Sequence, residues 1–215
     1  MITAWHFVGD TLRDGRAIPP DGEWLAHNGP VVMCESGLHA SRDPFDALRF
    51  APGETICMVE CEDVVSEDYD KLVCRRRRIV ARRDAGAMLR SFARAQALAV
   101  AHLWDCPPVV RQYLETGDES LRVSARAAAW AASTAARAAS AAWAASDAAR
   151  AAAWAASDAA WAASAESDAL AALAAWAARA ASTAWAASAA ASAASDAARD
   201  AARSDFNRRV EELFA

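Results

Sequence analysis

Two regimes of hydrophobic patterning divide the chain. Up to about residue 80 the apolar positions form short runs and alternations bounded by Gly, Pro and Asp, which predicts strands and turns. Residues 3–8 predict a first strand and residues 10–22 a loop, with its Asp-Gly and Pro-Pro steps. Residues 31–34 predict a short apolar strand that runs on through Glu35 and Gly37 to Ser41. A short helix follows from Asp43 and Pro44 to Phe50, proline being accepted in a first helical turn, and Ala51-Pro52-Gly53 ends it. Residues 55–65 and 71–80 predict a hairpin around the acidic tip Glu67, Asp68, Tyr69 and Asp70, since both arms are rich in Val, Ile and Cys.

Beyond this the period changes. Residues 84–104 carry Met88, Leu89, Phe92, Leu98 and Val100 near helical spacing, Cys106-Pro107-Pro108 stops the helix, and residues 109–115 form another closed by Thr116-Gly117. Residues 125–203 then hold 47 alanines and six tryptophans with no glycine or proline, a composition that predicts helix. One unbroken helix would be about 120 Å long and would scatter tryptophan over several faces. Trp143, Trp154 and Trp161 share a side, with Trp176 near it, whereas Trp130 and Trp185 fall off it. Segmentation follows: Ser-Asp steps at 146, 157, 167, 195 and 204 are candidate helix starts. The chief breaks are expected at residues 164–168 and at Ser182-Thr183, and Phe206, Val210, Leu213 and Phe214 form an amphipathic cap over the bundle end. The predicted fold class is α+β: a small mixed N-terminal sheet module (1–84), connecting helices (85–117), and an Ala-rich antiparallel helical bundle or repeat (118–215).

Composition narrows the function classes. All eight glycines, seven prolines, five cysteines and both tyrosines precede residue 118, and the net charge is −5. Neither half is basic enough for bulk nucleic-acid binding. The first residues lack a basic-then-apolar leader and Ser, Asp or Arg interrupts the alanine tract, so a membrane span is not expected and a cytoplasmic site is, the host's cytoplasm if the chain is phage-encoded. Five cysteines without scaffold spacing suit reduced thiols. Cys57 and Cys61 share a strand face with Val59, and Cys34 and Cys74 are placed on neighbouring apolar strands. Core packing outweighs a metal site there, and no metal or cofactor is expected.

Arg75, Arg76, Arg77 and Arg78, with Arg82 and Arg83, form the sharpest charge cluster. Four consecutive arginines put charge on both faces of a strand, which suits either a solvated edge or an anion site. With the hairpin paired as drawn, Glu60 and Glu62 lie opposite Arg76 and Arg75 and neutralise part of it. The tryptophans are core fillers or partner surface, and Trp154 with Arg150 and Trp176 with Arg179 are candidate ligand-binding pairs. At the strand-to-helix turn Gly37-Leu38-His39-Ala40-Ser41, glycine permits a tight backbone and His39 either stabilises the turn or meets a ligand.

The block Cys34-Glu35-Ser36-Gly37-Leu38-His39-Ala40-Ser41, with Pro44-Phe45-Asp46-Ala47-Leu48 and Ala51-Pro52-Gly53, resembles an uncharacterised module of phage and bacterial proteins over residues 3–84. The run from Leu114 through Gly117-Asp118-Glu119 into the Ala/Trp repeat is similar to Ala-rich helical immunity proteins. Together these resemblances imply a phage or bacterial conflict setting and a protein that acts by binding a protein partner. Weaker is a resemblance to the ADP-ribosyltransferase fold, which would place His6, His39 and Glu60 as catalytic residues; no tyrosine occupies its middle position. A non-enzymatic inhibitory or immunity-type protein is thus expected first. Sequestration of a nucleotide-like signal, transferase chemistry, and self-assembly into homo-oligomers through alanine faces are the alternatives.

Overall fold

The computed structural model describes residues 1–12, 14–138 and 188–215. Arg150, Trp154, Trp176 and Arg179, the breaks expected at 164–168 and 182–183, and the packing of the central alanine tract lie outside those residues. The chain is α+β. Strands β1 (Ile2–Val8), β2 (Trp24–Ala26) and β3 (Leu38–Ala40) precede α1 (Pro44–Leu48) and the long hairpin β4 (Thr55–Glu67) and β5 (Leu72–Asp84). Then come α2 (Gly86–Ala99), a 3-10 turn (Ala101–Leu103), α3 (Pro108–Thr116), a second such turn (Glu119–Leu121), α4 (Arg122–Ala138) and a C-terminal helix (Ser188–Phe214). Two compact units result, Met1–Ala87 with Phe206–Ala215, and Met88–Asp205.

In the first unit β1 pairs with β4, β4 with β5, and the other edge of β5 is shared end to end by β2 and β3. Every one of these pairings is antiparallel, so the sheet is not mixed. A parallel pair needs a long crossover, and the short segments here fold straight back. Ser41, directly after β3, exchanges backbone hydrogen bonds of 2.7 and 2.9 Å with Trp5 of β1, so the sheet curls back upon its first strand. Ala4, Val8, Leu38, Ala40, Cys57, Val59, Cys61, Leu72, Cys74 and Ile79 fill the inside.

The hairpin register differs from the sequence expectation. Glu60 lies opposite Arg78 and Glu62 opposite Arg76, not Arg76 and Arg75. Register shifts between Met58 and Val59 and between Val64 and Ser66 move the pairing, and counting outward from a symmetric tip cannot see such irregularities. Residues 31–34 are likewise no strand. Val32 and Ser36 bridge across a tight turn in which Cys34 has φ 68°, and pairing begins only at Leu38. Cys34 is therefore exposed, not on an apolar strand beside Cys74.

The end of the C-terminal helix belongs to this unit. Phe206 and Val210 are fully buried; Phe206 meets Phe45 edge-on with centroids 5.8 Å apart, and Phe214 meets Trp5 at 5.1 Å. Asp43 caps α1 by accepting from the Phe45 N–H at 2.8 Å, and Asn207 donates to the same carboxylate at 2.9 Å. The apolar stripe expected to close the helical region thus completes the sheet module.

In the second unit, Val110, Tyr113 and Leu114 of α3 pack with Ala97 of α2 and Ala125 and Ala129 of α4. Alanines four apart put a smooth face towards α3 and allow close approach. Pro108 stands in the first turn of α3, and Gly117 ends it in the left-handed conformation (φ 68°), donating to the Tyr113 carbonyl at 2.8 Å. Trp130 keeps 62 % of its surface exposed. Ser195-Asp196 and Ser204-Asp205 lie within the C-terminal helix and start none, because the alanines before them extend it and outweigh a capping preference of about 1 kcal/mol. No helix among the described residues is long and apolar enough to cross a membrane.

Candidate functional site

Alternation along the hairpin sorts the candidate residues onto two faces. On β4, Cys57, Val59 and Cys61 point into the core, while Met58, Glu60 and Glu62 take the other side. His6 stands directly opposite Cys57 in the β1–β4 pair and shares its face. The resemblance that grouped His6, His39 and Glu60 therefore meets a divided geometry: the two histidines are close enough to influence each other, and Glu60 is across the sheet.

Glu60 is also committed elsewhere. It accepts from Arg78 Nε at 2.7 Å, Glu62 accepts from Arg76 Nη1 at 2.7 Å, and the Arg78 and Arg76 guanidiniums lie over the Trp24 ring, 4.9 and 4.6 Å from its centroid respectively. This ladder of two ion pairs stacked on one indole knits the edge strand β2 to β5. Arg82 is held by Asp21 at 2.6 Å and the Pro19 carbonyl at 2.9 Å, and Arg75 donates to the Gly29 carbonyl at 3.1 Å. The members of the arginine run thus face different partners. Trp24 escaped the sequence reading because a three-residue strand is too short for an alternation signal.

Arg77 is the exception. Its guanidinium is buried inside the curled sheet, donates to the His39 carbonyl, and among the described residues has no carboxylate partner. Cys57, Cys61 and Cys74 surround it. Burial pushes the Cys57 thiol up to about 11. Cys61 donates its S–H to Cys74, which raises Cys61 and lowers Cys74, and Cys74 donates in turn to the Leu38 carbonyl at 3.3 Å. His39 accepts the Cys34 N–H on Nε2 at 3.0 Å, so its own proton sits on Nδ1 when the ring is neutral. This is a closed, internally bonded cluster. Among the described residues no group of three or more His, Cys, Asp or Glu is arranged to hold a metal ion.

Two outcomes follow. Under native conditions an alkylating reagent is expected to modify the exposed Cys34 first and the half-buried Cys106 next, leaving Cys57, Cys61 and Cys74 intact until denaturant is added. Intact-mass spectra over time read this; early labelling of any of the three would contradict the closed cluster. The second concerns pH. Burial, then Arg77 and His39, hold the His6 imidazole well below its ordinary 6.5. The unfolded chain takes up that proton near 6.5 and the folded one does not, so stability is whole above that pH and falls below it. Stability should therefore fall as the pH drops from 7.5 to 5.5, and His6→Gln should flatten that dependence in urea titrations. An unchanged pH slope in His6→Gln would place the linkage elsewhere.

The reading from sequence also missed the far end of the hairpin. Tyr69 is 76 % exposed and Phe50, just beyond α1, is 48 % exposed. Arg49 donates to the Tyr69 hydroxyl at 3.3 Å and to Asp70 at 3.0 Å, and the Lys71 ammonium stands 4.8 Å from the Phe50 ring centre and 3.4 Å from Asp70. Asp70 itself is buried, so two exposed aromatics are mounted on an anchored ion-pair network. The tip read from sequence only as an acidic turn, since Phe50 and Arg49 lie some twenty residues away. Arg42 pairs with Glu67 beside it.

No curated protein and no solved structure matches the chain. Residues 2–91, less than half of it, match a sequence family described as a domain of unknown function, DUF7666.

Proposed function

We propose that the chain is a non-enzymatic binding protein of phage–host or bacterial conflict, which inhibits or neutralises a protein partner by occupying it from the cytoplasm. The observation that supports this reading is the hairpin tip. Tyr69 and Phe50 are exposed, yet Arg49, Lys71 and buried Asp70 hold their surroundings in place, and interface energy concentrates on such pre-ordered aromatic and arginine anchors. The groups suited to acid–base chemistry point the same way, because Glu60 is ion-paired on one face and His6 crowded on the other. The conflict setting rests on the resemblance of the Cys34–Ser41 block and of the Ala/Trp tract.

The test is a tagged full chain used to capture partners from bacterial lysate, followed by calorimetry with the purified partner. A stoichiometric partner should bind, and Tyr69→Ala with Phe50→Ala should weaken it by about a hundredfold, as expected for two hot-spot anchors. Recovery of no stoichiometric protein, or equal affinity of the double variant, would count against the reading.

A further inference from the structure

The binding reading makes no use of Arg77, inside the curled sheet of the first unit. The residue is only 6 % exposed, and a guanidinium cannot shed its proton to escape burial. Its Nη1 donates to the His39 carbonyl, whereas neither Nε nor Nη2 has a hydrogen-bond acceptor among the described residues. Glu60 and Glu62 are across the sheet, bound by Arg78 and Arg76. The groups that act on the Arg77 charge are the thiols of Cys61, Cys74 and Cys57, and a neutral thiol is a weak acceptor that supplies no charge. A buried cation is tolerated when it is paired and hydrogen-bonded, and is costly otherwise. His6 shares this inner face, alternating with Ala4 and Val8 of the same core, and its ring makes no hydrogen bond among the described residues. It is half-buried, so the inner face meets solvent beside it.

Nε and Nη2 lie along one edge of the planar guanidinium and present two parallel N–H groups, a fork that matches the two oxygens of a carboxylate. We propose that the interior of the curled sheet binds the carboxylate of a small organic acid, held by Nε and Nη2 of Arg77 and entering beside His6. A carboxylate brings one negative charge to one positive charge, where a phosphate dianion would carry an excess charge into apolar surroundings. Ala4, Val8, Val59 and Ile79 supply those surroundings, and low-dielectric walls strengthen a single charge pair. Arg77 and His39 are the charged groups that act on His6. A bound acid offsets the field of Arg77 there, so the imidazole takes up its proton more readily than it does without the acid.

The experiment uses the full chain at constant ionic strength, with sodium acetate and sodium formate as probes, inorganic phosphate for comparison and chloride as the control. Thermal melts and NMR titrations of the histidine rings are recorded, the His6 signal being assigned by its loss in His6→Gln. Acetate or formate should raise the wild-type melting midpoint saturably and move the His6 titration to higher pH, and phosphate should bind more weakly than either. Arg77→Lys keeps the charge and loses the fork, and should bind acetate about tenfold more weakly. Arg77→Met should melt no lower than the wild type in chloride, since it replaces an unpaired buried charge by an apolar chain, and should not respond to acetate. No saturable response in the wild type, an Arg77→Met variant that responds as the wild type does, or phosphate binding tighter than either carboxylate would overturn the proposal. So would a thiolate absorbance at neutral pH that disappears in Cys74→Ser, because the counter-charge of Arg77 would then be internal.

Discussion

Replacing Phe206 with alanine is expected to destabilise the sheet module by about 3–5 kcal/mol, although Phe206 lies more than a hundred residues beyond the last strand. The ring is fully buried against Phe45, so the substitution loses both its transfer energy and the edge-on contact, and α1 cannot close into the gap while Asp43 and Asn207 fix its first turn. A chain ending at Asp205 loses more, because Val210 and the Phe214–Trp5 contact go with it. Against a typical domain stability of about 5–15 kcal/mol, that leaves the module marginal or unfolded. Urea titrations read by near-ultraviolet dichroism should place the truncated chain's midpoint far below that of the full chain, and a peptide spanning residues 195–215 should raise it again when added in trans. Identical midpoints would mean that the sheet stands without the segment. The same reasoning applies to residues 2–91, the stretch matched by the domain of unknown function: the match delimits a sequence family, whereas the compact unit also includes Phe206–Ala215.

How much of this was legible beforehand depended on how far each signal extends along the chain. β1, α1, the β4–β5 hairpin and α3 follow from local pattern: alternation of apolar residues, proline in a first turn, glycine at a helix end. The amphipathic stripe of Phe206, Val210 and Phe214 was equally legible, but its destination was not. An apolar face tells that a helix must be covered and carries nothing about which surface covers it. Register failed for a related reason, since irregularities at Met58/Val59 and Val64/Ser66 leave no compositional mark. The arginine run showed the limits of counting charge. Whether Arg75 to Arg78 form a patch depends on where Glu60, Glu62 and the Gly29 and His39 carbonyls end up, and only the folded backbone brings those to it.

Gly37→Ala is expected to cost about 3 kcal/mol, and it bears directly on what the Gly37-Leu38-His39 motif is for. Gly37 has φ 113°, a region essentially closed to side chains, and strain there is worth about 1–3 kcal/mol by itself. A Cβ would in addition stand 2.6 Å from Val73 Cγ2 and 3.0 Å from Val31 Cγ1. Val73 is fully buried on β5 and pairs with His39, so it cannot yield without disturbing the short strand β3 that it holds. Overpacking of this kind adds about 1–3 kcal/mol. His39→Ala removes the hydrogen bond that the Cys34 N–H donates in an exposed turn, and should cost about 1 kcal/mol. That order of effects, glycine well above histidine, identifies the motif as the device that lets the chain turn tightly at Cys34, enter β3 beside β5 and reach Trp5 through Ser41. Thermal and urea midpoints of the two variants measure it. A Gly37→Ala chain as stable as the wild type, or a His39→Ala chain that loses more than Gly37→Ala, would move the purpose of the motif from the backbone to the imidazole.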